Sequence, residues 1–110
     1  MQQIKETDWK LLRQMASAAL ERFCREVLET LERIAADDTK TYHQRYLAVY
    51  ELLRRRDKKL AEAFNSLRRS TAFYQLAQIY SQRLLRGEEF SRFSPETRAA
   101  VELLLGIRDS

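Results

Sequence analysis

Two glycines, one proline, one cysteine and one histidine in 110 residues leave this chain short of the residue types from which most chemistry and most turns are built. The single Cys24 has no partner for an internal disulfide, and with His43 as the only histidine no His- or Cys-rich metal site can be assembled within one chain. Gly87 and Gly106 stand apart, so neither a phosphate-cradling glycine loop nor a nucleophile elbow can be written. The Glu-x-x-His spacing of a helical-bundle metal site is absent as well. The sequence therefore assigns no catalytic group, metal ligand or cofactor. No apolar run approaches the roughly 20 residues that a bilayer demands, and the start, Met-Gln-Gln-Ile-Lys-Glu-Thr-Asp-Trp, lacks the apolar stretch of a secretory signal. The expectation is a soluble protein with no membrane partner, in a reducing, cytoplasmic setting.

Apolar residues make up 45% of the chain and charged residues 33%, which separates it from disordered tails, and the length suits one domain, 1–110, with a modest core. At 100° per residue, Trp9, Leu12, Ala16, Leu20, Phe23, Cys24, Val27, Leu28, Leu31, Ile34 and Ala35 fall in a stripe about 160° wide, predicting an amphipathic helix over about 8–36. Its opposite face carries Lys10, Gln14, Glu21, Arg22, Arg25, Glu29, Glu32 and Arg33. Glu21 with Arg25, and Glu29 with Arg33, have the i,i+4 spacing of helix ion pairs. Arg13 alone interrupts the apolar stripe, where its stem can lie along apolar surface with the charge in water.

The polar run Asp37-Asp38-Thr39-Lys40 turns the chain. Thr41 with Gln44 fits a capping box and opens a second helix, about 41–69, whose apolar positions are Tyr42, Tyr46, Val49, Tyr50, Leu53, Leu60, Ala63, Phe64 and Leu67. The charged run 54–59 interrupts this stripe without shifting its phase: Leu60 returns to the angle of Tyr42, and Phe64 and Leu67 stay within about 40°. Phe73, Leu76, Ala77, Tyr80 and Leu84 form a stripe out of phase with it. Ser70 is placed to cap a third helix, about 71–86, which Gly87 would end, with Glu88–Phe90 as a short turn. Ser94-Pro95-Glu96 combines a serine cap, a first-turn proline and an acid at the positive end of the helix dipole, predicting a last helix over about 95–105 that stops at Gly106. Nothing alternates with the period of a strand. The fold class is all-α, a helical bundle of about four helices, two of them long.

A helix of 28 residues spans about 42 Å, whereas a compact 110-residue domain has a radius of gyration of ~13 Å. The long helices should overhang the short ones and leave apolar stripe uncovered, so a homodimer is expected.

Of the net charge of +4, the middle of the chain holds the surplus: residues 37–86 carry eleven basic and five acidic side chains. Arg54, Arg55, Arg56, Lys58 and Lys59, with Arg68 and Arg69, could meet phosphates, and Tyr42, Tyr46 and Tyr50 could stack on bases. Three features weigh against nucleic acid. The tyrosines recur every four residues on the apolar side, as core or dimer-seam residues do. Glu51, Asp57 and Glu62 answer part of the charge at helical spacing, and two glycines supply no helix-turn-helix turn. Phe73, Tyr74, Tyr80, Phe90 and Phe93 read either as a partner site or, preferably, as a plug closing one end of the bundle. Cys24 reads as a small hydrophobe and His43 as a surface or boundary residue. The function expected from the sequence is that of a small helical interaction or regulatory module acting through protein–protein contacts. Nucleic-acid binding through residues 54–69 is the alternative, and an enzyme with an unannounced site the third reading.

Overall fold

The computed structural model describes residues 3–106, which form five helices: α1 Glu6–Ala35, α2 Tyr42–Phe64, α3 Ala72–Ser81, a single-turn α4 Gly87–Phe90, and α5 Pro95–Leu104. A 3₁₀ turn, Arg69–Thr71, precedes α3, and no strand occurs among the described residues. The protein is all-α. α1 and α2 form an antiparallel hairpin, α3 packs on both, and α5 packs on α3.

Core side chains gather at the end of the hairpin away from its tip. Leu12, Met15, Ala19 and Phe23 of α1 meet Ala63 of α2, Leu76, Ala77 and Ile79 of α3, and Val101 of α5, with Phe90 and Phe93 closing the end. Tyr80 stacks on Phe90 with ring centroids 4.0 Å apart, and Phe90 lies 6.3 Å from Phe93, so these three form the plug, with Phe73 packed partly against the core and Tyr74 left 50% exposed outside it. Toward the tip, burial stops after Val27 and resumes at Leu52, with no buried side chain in residues 28–51. The radius of gyration is 16.7 Å and the extents are 52 × 30 × 25 Å, against ~13 Å for a compact chain of this length. The overhang expected from helix length is present.

Several local expectations are corrected. The buried face of α1 is rotated toward Met15 and Ala19, and that of α2 toward Leu52, none of which the sequence stripes contained. α3 and α5 cover only one flank of the hairpin, so the opposite edge of each stripe stays open. α2 ends at Phe64 rather than at 69, because Asn65 is extended and Ser66 left-handed (φ 54°). Gln75 of α3 fixes that ending, donating from Nε2 to the Asn65 carbonyl at 2.9 Å. Ser70 lies inside the 3₁₀ turn and does not cap α3, whose N-cap position is Thr71. Arg25 pairs with Glu29 at 3.3 Å rather than with Glu21. Arg33 donates to Thr30 instead of meeting Glu29.

α3 stops at Ser81 rather than 86, in a Schellman turn. The Leu84 amide donates to the Ile79 carbonyl at 3.2 Å and the Arg83 amide to that of Tyr80 at 3.0 Å. Arg83 takes the left-handed position (φ 60°) where glycine is ordinarily found, while Gly87 opens α4. The buried side chains of Leu84 and Ile79 hold the turn in spite of its missing glycine. Because Arg83 is exposed, Arg83→Gly is expected to stabilise the fold by roughly 0.5–1 kcal/mol, read as a higher urea midpoint at unchanged slope.

The remaining caps agree with the sequence. Thr41 Oγ1 accepts from the Gln44 amide at 3.0 Å while Gln44 Oε1 accepts from the Thr41 amide at 2.9 Å. Ser94 caps α5 above Pro95, and α5 gives way at Gly106, φ 68°.

Candidate interaction surface

The tip half of the hairpin carries the feature that the fold leaves unexplained. Leu28 of α1 and Tyr42, Tyr46, Leu47, Tyr50 and Leu53 of α2 are between 44% and 85% exposed. The tyrosines expected in a core or seam are therefore not in the core of this chain. Tyr46, Tyr50 and Leu53 sit at adjacent angles on α2, beside the side that faces α1. Tyr42 is covered in part by the Arg45 guanidinium, 4.6 Å from its ring centre. Arg45 also donates to the Ala35 carbonyl at 2.8 Å, which caps the end of α1 and fixes the tip.

Next to this patch a groove of about 270 Å³ runs between the helices, walled by Cys24, Val27 and Leu28 of α1 and by Leu53, Asp57 and Leu60 of α2. Phe23 forms its floor with Arg56 beside it. Cys24 is a half-buried free thiol in an apolar wall, and His43 is exposed on the first turn of α2. The two do not meet in one site. Among the described residues no three His, Cys, Asp or Glu side chains stand close enough together to hold a metal.

The seven basic residues do not form one surface. Arg54 makes a two-pronged pair with Glu51 at 2.7 and 3.1 Å. The Arg56 guanidinium lies 4.6 Å over the Phe23 ring and 3.6 Å from Glu26, which turns it toward α1. Arg69 donates to the Ile4 carbonyl at 3.1 and 3.3 Å and has Glu6 at 3.9 Å, tying the 3₁₀ turn to the start of α1. Arg55, Lys58, Lys59 and Arg68 are exposed. At 100° per residue Arg56 points away from the others toward α1, whereas Arg54 with Lys58, and Arg55 with Lys58 and Lys59, stand at i,i+3 and i,i+4 spacing on the exposed side of α2, so four of the seven share one solvent face and Arg56, Arg68 and Arg69 lie off it.

Sequence reading missed a polar latch at the other end. Asp8 is 3% exposed and accepts from the Ser94 amide at 3.0 Å, the Ser94 hydroxyl at 2.6 Å and the Thr97 hydroxyl at 2.6 Å. Burial pushes its pKa up, but the hydroxyl bonds from Ser94 and Thr97 and the Ser94 amide together outweigh it and hold the carboxyl below its ordinary value. Both carboxylate oxygens, the two hydroxyls and the amide are occupied with one another, so the latch joins α1 to α5 rather than forming a reactive centre. Arg22 makes a second tie, to both Glu89 carboxylate oxygens at 2.7 and 3.0 Å and to the Leu84 carbonyl at 2.7 Å. Its hydrogen bonds lower the pKa of Glu89. No short-range sequence signal announces either pair, since their members are 62 to 89 residues apart.

Comparison with known protein families, curated proteins and solved structures finds no match to this chain. Among the described residues no helix is long and apolar enough to cross a membrane.

Proposed function

We propose that this protein is a helical interaction module that works through protein–protein contacts at the tip half of the α1–α2 hairpin, and that it forms a homodimer in a reducing, cytoplasmic setting. The observation that carries the reading is the run of exposed Tyr46, Tyr50, Leu53 and Leu28 on a hairpin that extends beyond its own core. Contiguous apolar surface of this kind is where monomeric proteins meet partners, and tyrosine is a favoured interface residue because one ring supplies large area with few rotors. Taking roughly 200 Å² for a fully exposed large side chain, these four side chains offer on the order of 450 Å², the apolar centre of a patch on the ~800 Å² per-partner scale of a standard interface.

The double substitution Tyr46→Lys with Leu53→Lys tests the reading. Both side chains are exposed, so helicity and the unfolding midpoint of the isolated chain should be retained, while self-association should fall by at least about 100-fold, the scale on which two interface anchors act. Association unchanged by the double substitution contradicts the reading.

A further inference from the structure

The tip face of α2 has a self-complementary polar pattern. His43, Tyr46, Tyr50, Leu53, Asp57 and Leu60 follow one another at steps of three and four residues, the spacing of a helix–helix seam. Within that row the middle is apolar and aromatic, His43 lies at one end and Asp57 toward the other. Both are exposed, and neither forms an ion pair among the described residues. A carboxylate in the seam row needs a donor across the interface, because burying it unpaired costs far more than the apolar contacts around it return.

We propose that the partner is a second copy of this chain, docked with the two α2 helices antiparallel about a twofold axis between Tyr50 and Leu53. This rests on the interaction reading above and names its partner and register. Antiparallel pairing brings each Asp57 against His43 and Tyr46 of the other copy, giving the carboxylate an imidazole and a phenolic O–H as donors. Parallel pairing sets Asp57 against Asp57 and leaves both uncompensated, which decides the direction. The same register lays the Tyr46 ring at the partner's groove between Leu28, Cys24, Leu53 and Asp57, whose volume of about 270 Å³ suits one aromatic side chain. A twofold contact of this kind uses the same surface on both copies, so it closes at two and forms no filament.

A charge-exchange cycle followed by sedimentation equilibrium tests the register, with circular dichroism confirming helicity. Asp57→Lys alone and His43→Asp alone each place like or unmatched groups across the seam and should weaken the dimer at least about tenfold. The double variant His43→Asp with Asp57→Lys restores opposite groups in the antiparallel arrangement and should return to within about threefold of the unsubstituted protein. Glu62→Lys, the same charge change as the second half of that cycle but off the seam row, should leave the dimer unaltered. A dimer in which the double variant is no tighter than the singles overturns the register while leaving the interaction reading standing. An unsubstituted chain that stays monomeric overturns the second copy as partner and the homodimer with it.

Discussion

Asp8→Ala should cost about 3–4 kcal/mol of folding stability, on the scale of a large truncation in the core. The deletion leaves the Ser94 amide and the Ser94 and Thr97 hydroxyls without their acceptor, at a site where Thr97 is buried and Ser94 half-buried. Each orphaned donor costs about 1–3 kcal/mol, offset in part by rotation of the hydroxyls toward other acceptors. For a domain of this size that loss lowers the thermal midpoint by on the order of 10–20 °C. Asp8→Asn keeps one acceptor oxygen and the volume, and should lose about half as much. The pH dependence follows from the lowered pKa of Asp8. A carboxyl held below its unfolded value of about 3.9 contributes stability that is complete above that value and is lost as pH falls through the folded value. Glu89, lowered chiefly by its hydrogen bonds from Arg22, acts in the same direction. Stability should therefore be level near neutrality and fall from about pH 4 downward. The fall should be shallower in Asp8→Asn, since that variant has lost one of the titrating groups. Equal slopes in thermal midpoint against pH for the two proteins would show that Asp8 is not an acid-sensitive tie.

Phe23→Ala is expected to cost about 3–5 kcal/mol, by a different route. Phe23 is 2% exposed and is the point where the packed half of the hairpin gives way to the bare half. Its ring meets Phe64 edge-on with centroids 6.2 Å apart, and Arg56 covers its other side at 4.6 Å. Truncation removes the apolar area, the edge contact and the seat of the guanidinium, and opens the floor of the groove to solvent. Urea unfolding reads the loss directly. A cost below about 1 kcal/mol would mean that the hairpin is not held by packing at this layer. Because Phe23 floors the groove proposed to dock a partner, the variant should also associate more weakly, unlike Arg83→Gly, since Arg83 takes no part in lining that groove.

Helix existence was legible in the sequence because α1 and α2 are long and strongly periodic, and their caps use unambiguous chemistry: Thr41 with Gln44, and Ser94 before Pro95. Where helices end was less legible. The apolar phase of α2 continues through Leu67, which is half-buried, even though the backbone has left the helix at Asn65. Periodicity reports which side chains face the core, and a side chain can do so from an irregular segment. The end of α3 was missed for a related reason: glycine was expected at the left-handed position, and Arg83 occupies it because Leu84 and Ile79 pack beneath the turn. The exposed apolar face at the tip was half legible. An apolar stripe records every contact a helix face makes, within the chain or with a partner, and sequence alone does not divide it. The rotation of the buried faces toward Met15, Ala19 and Leu52 leaves Tyr46, Tyr50, Leu53 and Leu28 exposed on the chain itself. The long-range ties of Asp8 and Arg22 lay outside any local pattern.

The central claim, that this exposed face docks a second copy, is tested most directly by the solution mass of the unsubstituted protein. Light scattering should be measured from low to high micromolar concentration, in reducing buffer so that Cys24 forms no adventitious link. A mass rising to twice the 13.1 kDa of the chain, and no further, is the expected result. A mass that stays at 13.1 kDa throughout, with full helicity and an unchanged unfolding midpoint, would contradict it.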